Sequence, residues 1–79
     1  MKYRYIEFKL LEKKSKTSVW ECLNINSSVR LGIVKWYPYW RQYCYFPEKD
    51  TVYSVGCLED INDFITQLMM ERKIKKEEE

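Results

Sequence analysis

From Tyr5 the chain alternates, with Ile6, Phe8 and Leu10 on one side and Tyr5, Glu7 and Lys9 on the other. A period of two is that of a half-buried β-strand, and the run Lys13-Lys14-Ser15-Lys16 ends it. Val19 to Ile25 is again rich in strand formers. Asn24-Ile25-Asn26-Ser27-Ser28 closes that segment with side chains that bond nearby backbone in turns. Val29 to Tyr37 predicts a third strand and Arg41 to Phe46 a fourth. Between them, Tyr37-Pro38-Tyr39-Trp40 predicts a tight connection, because proline fixes φ and lacks a ladder donor. Pro47-Glu48-Lys49-Asp50 turns the chain once more, and Thr51-Val52-Tyr53 is a candidate short edge strand.

The period then changes to that of a helix. Apolar residues fall at Leu58, Ile61, Phe64, Ile65, Leu68 and Met69, while Glu59, Asp60, Asn62, Asp63, Thr66 and Gln67 take the opposite side. Ser54 is the candidate N-cap. Glu59, Asp60 and Asp63 near the start and Arg72, Lys73, Lys75 and Lys76 near the end complement the helix dipole. The expected fold is α+β: an antiparallel meander of four to five strands followed by one C-terminal helix packed on one sheet face. Residues 1–76 form a single domain and 77–79 a frayed charged tail.

In the middle of the chain the alternation stops separating apolar from polar. Leu31 and Ile33 project one way and Gly32, Val34 and Trp36 the other; in the next strand Tyr43 and Tyr45 oppose Cys44 and Phe46. Neither face is polar, yet a sheet with one wet face should alternate cleanly. One helix shields one face, so the other is left displaying aromatic area with Lys35 or Arg41. A large apolar patch of this kind marks an interaction site. The candidate partner-binding residues are Trp36, Tyr37, Tyr39, Trp40, Arg41 and Tyr43, since Trp, Tyr and Arg supply large rigid contact area at small entropic cost. A host protein or a second copy of the chain is the natural cover.

Composition narrows the function classes. A chain of 79 residues buries only about 60–65% of its unfolded surface, which leaves little room for a large ligand cavity. Fourteen Lys and Arg against twelve Asp and Glu fall short of the one-sided charge of proteins that wrap duplex DNA. Cys22, Cys44 and Cys57 have no CxxC spacing and no histidine to complete a zinc set, so they read as small buried hydrophobes in a reducing compartment. Without histidine the usual general base near neutral pH is missing. The carboxylates are accounted for as the wet face of the helix and as turn residues. Gly32 and Gly56 form no phosphate loop. The expectation is a protein that is not an enzyme and takes no cofactor or metal. Gly32 inside a strand marks a bulge or the close approach of another backbone. No run of roughly eighteen apolar residues spans a membrane, and the expected location is the cytoplasm of a bacterial host.

The string NINSSVRLGIVKWYPYWRQYCYFP, followed by TVYSVGCLEDINDFITQL, resembles a group of small uncharacterised proteins carried by phages and mobile elements of bacteria. The pattern falls here on Trp20, Leu31, Gly32, Trp36, Tyr37, Trp40, Arg41, Tyr43, Phe46, Pro47, Cys57 and Leu58. The resemblance implies a context in which such proteins act as accessory or anti-defence factors, for instance anti-CRISPR inhibitors, that block a host complex by occupying a surface. The leading expectation is thus a non-catalytic inhibitor or adaptor. The alternative is a nucleic-acid-binding module that stacks bases on the aromatic face or reads DNA with its sheet, as integrase N-terminal domains do. Arg30, Lys35 and Arg41 would then lie on phosphates or in the groove.

Overall fold

The computed structural model describes residues 1–78, with side chains through Ile74. Its elements are β1 (Ile6–Lys13), β2 (Ser18–Asn24), β3 (Arg30–Tyr37), β4 (Gln42–Pro47) and α1 (Val55–Glu78). The sheet is an antiparallel meander in the order β1-β2-β3-β4, followed by one helix, as the change of period predicts. Thr51–Tyr53 forms no fifth strand. Tyr53 instead sends its ring back to the sheet, where its hydroxyl donates to the Leu31 carbonyl at 2.6 Å. The expected frayed tail at 77–79 falls outside the residues described in full; the helix itself continues to Glu78.

The turns follow from their side chains. Asn24 Oδ1 accepts from the backbone of Asn26 at 2.9 Å and of Ser27 at 3.2 Å, and Ser28 takes a φ of 60° to complete the turn. At the start of α1, Ser54 Oγ accepts from the Cys57 amide at 3.2 Å while the Ser54 carbonyl receives the first helical bond from Leu58. Ser54 is therefore the N-cap. Because the helix begins at Val55, its first turn contains no acid, and Glu59, Asp60 and Asp63 sit too far along for much dipole benefit.

The helix covers the sheet face that carries Ile6, Phe8, Cys22, Val34 and Tyr43, and Ile61, Phe64 and Leu68 close the core from above. Phe64 stacks flat on Phe8 with centroids 4.0 Å apart and meets Trp20 edge-on at 5.2 Å. Leu58, expected on the buried stripe, is 53% exposed. Cys57 packs in its place, since it lies four residues before Ile61 and so one turn below it.

Two register shifts tune the sheet. One lets Leu11 bulge out of β1 opposite β2. The other, between Cys22 and Leu23, leaves Leu31 without a partner in β2, and Leu31 packs against the helix-side core. Gly32 sits beside that bulge. A Cβ there would lie 2.7 Å from the Phe46 carbonyl and would run into the Tyr45 ring. Both sequence readings of Gly32, a bulge and a close approach, thus meet at one position.

Candidate functional site: the two sides of the β3–β4 hairpin

A strand's period of two places Trp36 and Tyr37 on opposite faces, and this splits the predicted aromatic site. Trp36 and Tyr43 are cross-strand partners whose rings meet edge-on at 5.5 Å on the helix side. Tyr43 is buried there, and its hydroxyl accepts from the Ser18 amide at 3.1 Å. Tyr37, Tyr39 and Trp40 group on the other side. The six residues expected to share one surface are therefore divided between two, with Arg41 at the turn that joins them.

On the face away from the helix, the row Ile33–Phe46 and the neighbouring Lys35, Tyr37 and Cys44 belong to the outer set of alternating positions. Tyr37 is the hub of an aromatic cluster: its ring lies 5.1 Å from Trp40, 5.5 Å from Tyr39 and 5.9 Å from Phe46. Lys35 Nζ sits 4.7 Å above the Phe46 ring, a cation–π contact. Tyr37 and Phe46 are half-buried, whereas Trp40 is 67% and Tyr39 86% exposed. The tip is ordered by its own backbone. Trp40 N donates to the Tyr37 carbonyl and Arg41 N to the Pro38 carbonyl, both at 3.2 Å. Arg41 takes a φ of 54°, a left-handed conformation that costs a non-glycine residue roughly 1–2 kcal/mol.

On the helix side, the hairpin and the Asn62–Lys73 stretch of α1 flank an open groove of about 680 Å³. Trp36, Ile65 and Met69 form its floor, and Arg41, Arg72 and Lys73 stand on its rim. Arg72 stacks over Trp36, with Cζ 4.1 Å from the ring centroid, and donates to the Lys16 carbonyl at 2.8 Å. It thereby ties the helix to the β1–β2 hairpin. By its position near the end of the helix, Arg72 is expected only to complement the helix dipole. The signal was present nonetheless, because Arg72 follows Leu68 and Met69 at helical spacing and so extends the buried stripe.

The candidate phosphate contacts are dispersed. Arg30 is engaged by Glu21, with Nε at 3.0 Å and its terminal nitrogen at 2.8 Å from one carboxylate oxygen. Lys35 rests on Phe46, and Arg41 lines the groove on the opposite side.

The groups inside the fold are chemically quiet. Burial pushes the Cys22 thiol up to about 11, against a partial offset from its hydrogen bond with Tyr45. Burial, then the bond to Tyr53, holds the Tyr45 hydroxyl above its ordinary range. Tyr3 is raised likewise, by burial and then by the bond it donates to Asp63 at 2.7 Å. None of these ionises near neutral pH. Among the described residues, no three of Cys, Asp and Glu gather as a metal site, and no helix is long and apolar enough to cross a membrane.

No protein-family model and no solved structure matches the chain. Over 70 residues it is 37% identical to the uncharacterized 9.3 kDa protein of Acholeplasma phage L2, an alignment that spans 87% of this chain and 90% of that protein. With the near-full coverage of both chains, this places the protein in a family of small phage proteins that includes the 9.3 kDa protein of Acholeplasma phage L2.

Proposed function

We propose that this chain is a non-catalytic binding protein that docks on a host protein through the tip of the β3–β4 hairpin. Tyr39 and Trp40 are the contact residues, and Tyr37, Phe46 and Lys35 hold them from behind. The observation that carries this reading is the exposure of Tyr39 and Trp40, 86% and 67%, on a turn pinned by two backbone hydrogen bonds. A soluble fold gains nothing from leaving a tryptophan out in water, whereas rigid aromatics on an ordered tip are the usual anchors of interfaces. The left-handed Arg41 is a strained choice where glycine would serve, which also favours selection for contact over stability. A phage relative makes a host complex the natural target, and blocking a host defence complex the role.

The nucleic-acid reading draws less support. Its three cations do not form one strip, and Arg30 is already neutralised by Glu21.

The test is capture from host lysate with tagged protein, followed by reconstitution with the purified partner. Tyr39→Ala with Trp40→Ala should weaken binding by about 2 kcal/mol or more, roughly thirtyfold, with an unchanged circular dichroism spectrum. Undiminished affinity would move the interface elsewhere. Titration of labelled oligonucleotides checks the alternative: tight binding at low salt that falls steeply as salt rises would favour nucleic acid.

A further inference from the structure

We propose that the groove between the β3–β4 hairpin and the Asn62–Lys73 stretch of α1 is a second binding site, one that takes an acidic peptide segment carrying apolar anchors. Its volume of about 680 Å³ lies in the range of formed ligand sites, but the groove is open along its length, which suits side chains laid in from an extended or helical segment. The floor is Trp36, Ile65 and Met69, and the exposed Met70 lines the groove beside it. Methionines re-pack around varied apolar partners and recur in grooves that receive peptide helices. The rim fixes the charge of the occupant. Arg41, Arg72 and Lys73 line it, the other polar lining residues are neutral, and no described carboxylate lines the groove. Lys13, Lys14 and Lys16 continue the positive field past Arg72, where Glu71 is the single acid of the adjoining small pocket. Arg72 spends one of its five donors on Lys16 and keeps the rest for a carboxylate.

Two other occupants fit less well. A nucleic acid needs a free aromatic face on which to stack, and Trp36 has Arg72 over its ring and the edge of Tyr43 beside it. A second copy presenting its aromatic tip would bring its own Arg41 and Lys35 against this cationic rim. The site is independent of the tip proposed above, because Trp36 and Tyr37 face opposite ways.

The experiment is to pan a randomised displayed library of short peptides on the immobilised full chain and then measure the enriched peptides by fluorescence anisotropy. Enriched sequences should be net negative with two or three apolar anchors. Their affinity should fall at least about tenfold for Lys73→Glu and for Thr66→Trp, which fills the groove from an exposed helix position. Both variants should leave Trp40-dependent capture intact. The proposal is overturned by no enrichment, by enrichment of basic or neutral peptides, or by acidic peptides that bind Thr66→Trp and Lys73→Glu as well as wild type. Two further results overturn it: oligothymidylate binding that Thr66→Trp abolishes, or a dimer mass by light scattering that Thr66→Trp converts to monomer.

Discussion

Gly32→Ala is the sharpest test of how this small sheet is packed. The added methyl would lie 2.7 Å from the Phe46 carbonyl oxygen and against the Tyr45 ring. The carbonyl belongs to the paired strand and gives way only with it, so the strand must shift and the Tyr45 ring must move as well. Its hydroxyl bonds that of Tyr53 at 2.8 Å, and Tyr53 in turn donates to the Leu31 carbonyl at 2.6 Å. Overpacking of this kind costs roughly 1–3 kcal/mol, and a disturbed hydrogen bond adds about 1 kcal/mol. Replacing glycine in a strand returns about 0.5–1 kcal/mol. The expected net loss is about 2 kcal/mol, which in a chain of this size lowers Tm by roughly 8–16 °C. Thermal and urea unfolding followed by circular dichroism read it directly. In a Tyr45→Leu background the ring is gone and only the carbonyl remains, so the same substitution should cost about half as much, a coupling of about 1 kcal/mol. If Gly32→Ala proves neutral, or costs as much with Leu at position 45 as with Tyr, the close approach of Tyr45 is not what requires glycine.

The remaining predictions concern caps, thiols and pH. Ser54→Ala removes the oxygen that receives the Cys57 amide; with no acid in the first turn to substitute, it should cost about 1 kcal/mol, and Ser54→Gly only a few tenths, both read from urea midpoints. Cys22 is fully enclosed while Cys44 and Cys57 are half-buried, so a thiol-exchange reagent should titrate two groups in the native protein and the third only on unfolding; three equally fast thiols would refute the packing. Stability should also fall at alkaline pH. The Cys22 thiol is raised from an ordinary 9.0 to about 11, so from about pH 9 the unfolded chain sheds a proton that the native state keeps, and the difference in bound protons drives unfolding as pH climbs through that window. Tyr45 and Tyr3, raised by burial, extend the loss upward. Urea midpoints at about pH 8 and about pH 10.5 should differ, and differ less in Cys22→Ala; a flat profile would refute the assignment.

The local elements were legible in the chain because each rests on short-range chemistry. Ile6, Phe8 and Leu10 mark a period of two, Asn24 an Asx turn, Pro38 a tight connection, Ser54 a cap, and Ile61, Phe64 and Leu68 a helical stripe. The surplus of apolar area in β3 and β4 was legible too, as a failure of alternation. What position along the chain does not contain is which face the helix chooses. That choice depends on shape: Phe64 finds a flat seat on Phe8, and Tyr43 spans to Ser18 on the same helix-covered face. Once the helix settles there, Trp36 and Tyr43 pass to the inside while Tyr37, Tyr39 and Trp40 remain outside. The groove, whose walls come from the hairpin and from helix residues twenty or more positions later in the chain, exists only after that docking, as does the contact of Arg72 with Trp36. Periodicity determined the elements and the excess of ring surface. Tertiary packing alone decided how that surface was divided, because burial is a property of faces brought together and not of either face alone.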